Sequence, residues 1–160
     1  TRTFIKFDGV DGESVDADHR GQIDVLWWTW GVSNSSASVT APGTGSGAGV
    51  GKAVATDISF GHVFDKASPL LAKKCVQGVH IPTVVLTSRK AGEGQKDFLK
   101  ITLTDVRVVA IQQSAGDDHI NETVSIGYSE IEVAYKPQDA TGALGAEVKF
   151  KWNLKTTAVA

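Results

Sequence analysis

Residues 43–51 read GTGSGAGVG and are followed by Lys52. A glycine-dense run ending in Gly-Lys has the composition of a loop whose backbone N–H groups cradle phosphate while the lysine reaches its outer oxygens. The spacing is wrong for that chemistry. With Gly51-Lys52 as the G-K pair of G-x-x-x-x-G-K-[ST], a glycine is required at 46 and a hydroxyl after the lysine. Those residues are Ser46 and Ala53. A dinucleotide fingerprint fails as well, because Lys52 and Ala48 stand where G-x-G-x-x-G from Gly47 or Gly43 needs its last glycine. Both motifs also open a helix, whereas the following AVATDISFGHVF alternates like a strand. Gly43, Gly45, Gly47, Gly49, Gly51 and Lys52 are therefore read as part of an extended loop over about residues 33–52. That is longer than most connections, and loops of this length are usually functional or disordered.

Other residues able to do chemistry fall out of pattern too. GESVD, GVSNS and GYSEI each lack the closing glycine of the nucleophile elbow G-x-S-x-G. His19, His62, His80 and His119 show no metal-ligand spacing such as H-E-x-x-H. The segment GDDHINE (116–122) offers Asp117, Asp118, His119 and Glu122 but lacks the twelve-residue calcium pattern. It is read as a solvated turn, as are Asp16, Asp18 and His19. Cys75 is the single cysteine, so no internal disulfide forms, and it is read as a small buried apolar residue. No catalytic, cofactor-binding or metal-binding residue is assigned. The chain is expected not to be an enzyme and to act through binding or assembly.

The elements that must position these residues follow from periodicity. A chain of 160 residues, 41% hydrophobic and 21% charged, suits one domain over 1–160. A net charge of −2 without any basic run argues against nucleic acid. No apolar stretch is long enough to span a membrane, and TRTFIKFDGVDGESVD has no apolar core of a signal peptide. Period-two alternation runs through 3–8, 22–30, 53–64, 79–90, 97–112, 122–135 and 146–155, the pattern of an antiparallel sandwich or barrel. Within 22–30, Leu26, Trp28 and Trp30 are expected on the core face, with Val25, Trp27 and Thr29 opposite. In 53–64, Val54, Ile58, Phe60 and Phe64 are expected to share one face. Val124, Ile126 and Tyr128 differ in parity from Ile131, Val133 and Tyr135. A bulge near Ser129, or passage of the strand between sheets, reconciles the two sets. DKASPLLAKKCVQG predicts one helix, with Ser68 as N-cap, Pro69 at its first position and Gly78 at its end. Leu71, Ala72, Cys75 and Val76 form the stripe expected to pack on the sheet.

Several stretches, taken in order, resemble the haemolysin-coregulated protein (Hcp) family of bacterial type VI secretion. They are FIKFDGVDGESVDADHRGQIDVLWWTWG, DISFGHVFDKASPLLAKKCVQGVHIP, RKAGEGQKDFLKITLTDVRV, ETVSIGYSEIEVAY and VKFKWNLK. They cover nearly the whole chain. The resemblance implies a mainly β fold: a small antiparallel β-barrel of two curved sheets with one α-helix packed at its side, assembled as a hexameric ring. It implies that rings stack into an inner tube expelled by a contractile machine, with sheath and spike components and secreted effector proteins as partners and the lumen as an effector chaperone. No cofactor is implied. The protein would be made in the bacterial cytoplasm and leave through the type VI machinery. Thr29 and Trp27 become candidates to face the lumen and its cargo, and the glycine loop with Lys52 becomes a candidate for ring stacking. A monomeric β-sandwich module that binds carbohydrate or protein is the competing reading; solution mass separates the two.

Overall fold

The computed structural model describes residues 1–35, 52–90 and 96–160. Gly43, Gly45, Gly47, Gly49 and Gly51 lie outside the described residues. The alternating segments form β1 (Arg2–Phe7), β2 (Ile23–Val25), β3 (Trp27–Thr29), β4 (Val32–Asn34), β5 (Ala53–Ala55) and β6 (Ile58–Val63). Beyond the helix α1 (Ala67–Gln77) come β7 (Ile81–Arg89), β8 (Asp97–Ala115), β9 (Ile120–Gly127), β10 (Glu130–Tyr135) and β11 (Val148–Asn153). Every pairing is antiparallel. One sheet runs β2–β1–β7–β8–β10–β11, the other β3–β6–β9–β8.

Two crossings join the sheets into a barrel. The long strand β8 pairs with β7 and β10 through residues 97–106, then with β9 from Arg107 onward. Its partner follows it: β9 belongs to one sheet, β10 to the other, and the chain passes between them at Tyr128 and Ser129. That passage is why Val124, Ile126 and Ile131 are all fully buried despite their opposite parity. The second crossing lies between β2 and β3, where the Leu26 N–H donates to the Gly61 carbonyl at 2.8 Å. The pairings then close a circuit through β1, the β2–β3 segment, β6, β9, β8 and β7.

This crossing corrects the expected phase of 22–30. The bend at Leu26 slips the alternation by one residue, so Val25 packs on the core and Leu26 is 61% exposed. Trp28 and Trp30 do pack against the core. The strand expected over 53–64 is likewise broken, into β5 and β6. Val54 belongs to the two-stranded ribbon β4–β5 and stands 54% exposed, while Ile58 and Phe60 are fully buried. The same ribbon pairs Ser33 and Asn34, both within the loop expected over 33–52, and the Ser35 N–H donates to the Lys52 carbonyl at 3.3 Å.

The helix also differs from expectation at its start. It begins at Ala67 with Lys66 as N-cap residue and no side-chain cap at that position. Ser68 lies inside the first turn, fully buried, and its Oγ accepts the Asp65 N–H at 3.1 Å. Asp65 Oδ1 accepts the Ala67 N–H at 2.9 Å, serving one of the donors a helix start leaves free. The end is as expected: Gly78 adopts φ 64° and its N–H reaches the carbonyls of Lys74 and Cys75. Ala67, Ser68 and Leu71 are buried and Cys75 packs on the core at partial exposure. Val76, expected on this stripe, is 88% exposed. At 100° per residue it points about 120° away from the centre of the buried face.

Leu71→Asp should place an unpaired charge in the core and cost about 3–5 kcal/mol. Val76→Asp should stay within about 0.5 kcal/mol. Denaturant unfolding of the two variants checks the assignment, and equal effects would overturn it.

Candidate functional site

The outward face of the second sheet is built from four strands whose inward residues are large and apolar. Pairing aligns Trp27 with Gly61 and Thr29 with Ser59, and then Ser59 with Ser125 and Gly61 with Thr123. On the far side Ala110 and Gln112 pair with Ser125 and Thr123. These residues point away from Ile58, Phe60, Val124 and Ile126, which are fully buried. The face is therefore hydroxyl-rich, small and uncharged at these positions, on a chain with 21% charged residues. Ser59 Oγ and Ser125 Oγ bond to each other at 2.7 Å, so the face satisfies part of its own polarity.

Trp27 and Thr29 both lie on this face and both are exposed, Trp27 at 44%. The indole of Trp27 lies across Gly61, where an added Cβ would overlap the ring. Glycine at 61 is what lets the ring lie flat against the sheet. Trp30 turns inward and donates its Nε1–H to the Tyr128 hydroxyl at 2.6 Å, which in turn donates to the Thr56 carbonyl at 2.9 Å. Burial pushes the Tyr128 phenol up. Lys52, the described member of the stacking candidates, is exposed at the foot of the ribbon.

The turn expected to be solvated at Asp16, Asp18 and His19 is solvated only at Asp18. His19 is 5% exposed; its ring stacks on Phe4 at 4.4 Å and its Nε2 meets Asp97 Oδ1 at 3.0 Å. Arg89, 3% exposed, reaches Asp16 at 3.2 Å and Asp18 at 3.1 Å. This network fastens the segment before β2 to the ends of β7 and β8. It joins residues far apart in sequence, so no local spacing announces it. Glu122 of the acidic cluster is 1% exposed and pairs with His62, whereas Asp117, Asp118 and His119 are exposed.

A third cluster sits at the β8 crossing. Asp105 has φ 55°, a left-handed backbone that places its carboxylate beside His80 Nδ1, Ser129 Oγ (2.7 Å) and Lys155 Nζ (3.0 Å). Serine, histidine and aspartate meet here, but not as a nucleophilic triad. The serine donates to the aspartate, so the histidine is not placed to take its proton. Among the described residues no group of three His, Cys, Asp or Glu side chains is set to hold a metal ion. No helix there is long and apolar enough to cross a membrane.

The arrangement is a barrel wall with a bare outward face and polar clusters at its corners. Residues 4–135 match the family described as type VI secretion system effector, Hcp. The chain belongs to the Hcp family. The protein hcp1 of Pseudomonas aeruginosa is 46% identical over 156 residues, covering 95% of this chain and 94% of that protein. Among solved structures, a type six secretion system protein superposes with a TM-score of 0.91 at 32% identity, covering 99% of both chains. Hcp1 from Salmonella typhimurium does so at 0.79 and 31% identity, over 99% of this chain and 98% of that one. This Hcp chain is thus a tube subunit of type VI secretion, a secreted structural component and a ring-forming one.

The Ser129 hydroxyl, then His80 and Lys155, hold the Asp105 carboxyl well below its ordinary range. A depressed carboxyl stabilises the fold above its unfolded-state value and loses that contribution as pH falls through the folded one. The Asp105 bonds should therefore survive through pH 4 and fail only in stronger acid. Ser129→Ala should move the Asp105 titration upward in carboxyl carbon NMR; an unmoved titration would remove the serine from the cluster.

Proposed function

We propose that this Hcp chain closes into a hexameric ring whose lumen is lined by the outward face of the second sheet, and that stacked rings carry effector proteins through that lumen. The observation that carries the reading is the absence of charge across Trp27, Thr29, Ser59, Gly61, Thr123 and Ser125. Charged walls would hold a passing protein by ion pairs, whereas small hydroxyls offer weak contacts that a moving cargo exchanges easily. Six copies multiply such contacts through effective concentration. An exposed Trp27 supplies an aromatic anchor in each copy. Among the described residues the second sheet also ends on β3, which pairs with β6, and on the second half of β8, which pairs with β9. Unpaired edges invite pairing, and a head-to-tail ring satisfies them in every copy at once.

The ribbon β4–β5 stands apart from both barrel sheets, pairing Val32–Asn34 with Ala53–Ala55, which suits a contact to the next ring. Sheath and spike components then meet the outside and the end of the stack. The chain on this reading is made in the bacterial cytoplasm and exits with the expelled tube.

Light scattering of the purified protein should give a mass near six times 16.9 kDa; a monomer across accessible concentrations would favour the binding-module reading. Thr29→Gln and Trp27→Ala, in rings coexpressed with an effector, should keep ring size and reduce copurified effector on the order of tenfold. Full cargo on Thr29→Gln rings would take Thr29 off the lumen, and monomeric Trp27→Ala would assign Trp27 to the subunit interface.

A further inference from the structure

His62 is a buried titratable group that the tube role does not use. It stands on β6 in phase with Ile58 and Phe60, 1% exposed. Its Nε2 lies 2.8 Å from Glu122 Oε1 on β9, and that carboxylate is itself fully buried. Gln113 on β8 donates to the other oxygen of Glu122 at 2.6 Å. The second ring nitrogen, Nδ1, is buried and has no hydrogen-bond partner. It faces Asp65 Oδ2 at 3.8 Å, in the turn that leads into α1. A buried polar atom without a partner is costly, and here the neighbour best placed to become one is a carboxylate.

Four elements surround the ring, and three of them bring charge. β9 brings Glu122, the pre-helix turn brings Asp65, the segment before β2 brings Glu13, and β8 brings only the neutral Gln113. Glu13 Oε2 accepts the Lys66 N–H at 2.8 Å, so it too is tied to the pre-helix turn. Burial pushes the Asp65 carboxyl up, and the nearby Glu13 and Glu122 carboxylates push the same way, against the His62 charge. With a neutral imidazole the Nδ1 lone pair faces Asp65, and no cation offsets two acidic groups in a low-dielectric setting. With a second proton the ring donates in both directions, to Glu122 through Nε2 and to Asp65 through Nδ1, and one positive charge lies between two negative ones.

We propose that His62 is a proton-operated clasp that fastens the start of α1 to the barrel wall when doubly protonated and loosens it when neutral. The turn it controls carries Phe64, 38% exposed, which with Val63, Leu26, Glu13, Asp24 and Asp65 lines a surface hollow of about 270 Å³. The clasp therefore sets how firmly that hollow and the first turn of α1 are held. The direction follows from the geometry: Nδ1 can donate to Asp65 only when it carries a proton, so the clasp closes toward lower pH and opens toward higher pH.

The test is hydrogen exchange read by mass spectrometry on the assembled protein between pH 6 and pH 9, corrected for intrinsic exchange. In peptides covering residues 64–70, wild-type exchange should accelerate with pH by on the order of fivefold or more. His62→Lys keeps a cation at all these pH values and should flatten that dependence. Should the lysine fail to fold, Asp65→Asn keeps an acceptor for the Ala67 N–H, removes the repelling charge, and should flatten it equally. A pH-independent wild type, or a dependence that survives in either folded variant, overturns the clasp.

Discussion

The passage of the β8–β9–β10 hairpin from one sheet to the other is the constraint on which this structure rests. A twisted sheet of this length cannot stay flat and bury one face. Bending it across the barrel lets one continuous pair of strands serve both walls. The bend is fastened by Asp105, whose left-handed backbone turns its carboxylate onto Ser129 between β9 and β10, His80 before β7 and Lys155 beyond β11. The backbone joins in, with the Ser129 N–H bonded to the Thr104 carbonyl at 3.0 Å. A non-glycine residue with positive φ is strained unless its surroundings hold it, and here three side chains do.

Everything else is arranged around that bend. The second sheet is thin on its outward side because its inward side already carries the core, with Ile58, Phe60, Val124 and Ile126 fully buried. The first sheet carries the ion pairs instead, including Lys149–Glu132 and Lys151–Glu130 across β10 and β11. The free edge of β11 is partly covered by the chain terminus, where Ala160 and Lys151 exchange backbone bonds at 2.8 and 2.9 Å. The molecule thus separates a wall rich in ion pairs from one whose centre, at Thr29, Ser59, Gly61, Thr123 and Ser125, is uncharged. That separation suits a subunit with an inside and an outside.

Much of this was legible in the residues. Period-two alternation marked the strands because a half-buried strand must alternate. Gly78 marked the end of α1 because a left-handed residue is needed there. The exposure of Trp27 and Thr29 followed from parity alone, given that Trp28 and Trp30 turn inward. The parity clash between Val124 and Ile131 announced a bulge or a crossing, and the strand pairings decide for the crossing. The ordered stretches that resemble Hcp proteins pointed to the family, where composition and spacing by themselves went no further than an antiparallel β-domain without catalytic chemistry.

What only the tertiary structure decided is where alternation stops and which charges are dry. Leu26 reads as core because nothing local says that the chain changes sheets there; a backbone bond to Gly61, distant in sequence, imposes the slip. Ser68 reads as a cap and is instead buried, because Asp65 already serves the helix start. Val76 reads as part of a stripe whose width depends on how closely β8 approaches α1. Glu122 and His19 read as parts of solvated turns, and nothing local marks Glu122, His62, His19 or Arg89 as buried. Each is buried by a partner some 60 or more positions away, as with His62 and Glu122 or Arg89 and Asp16. Local sequence determines periodicity, caps and turns because those depend on neighbours along the chain. Burial of charge depends on neighbours across it, and the fold alone supplies them.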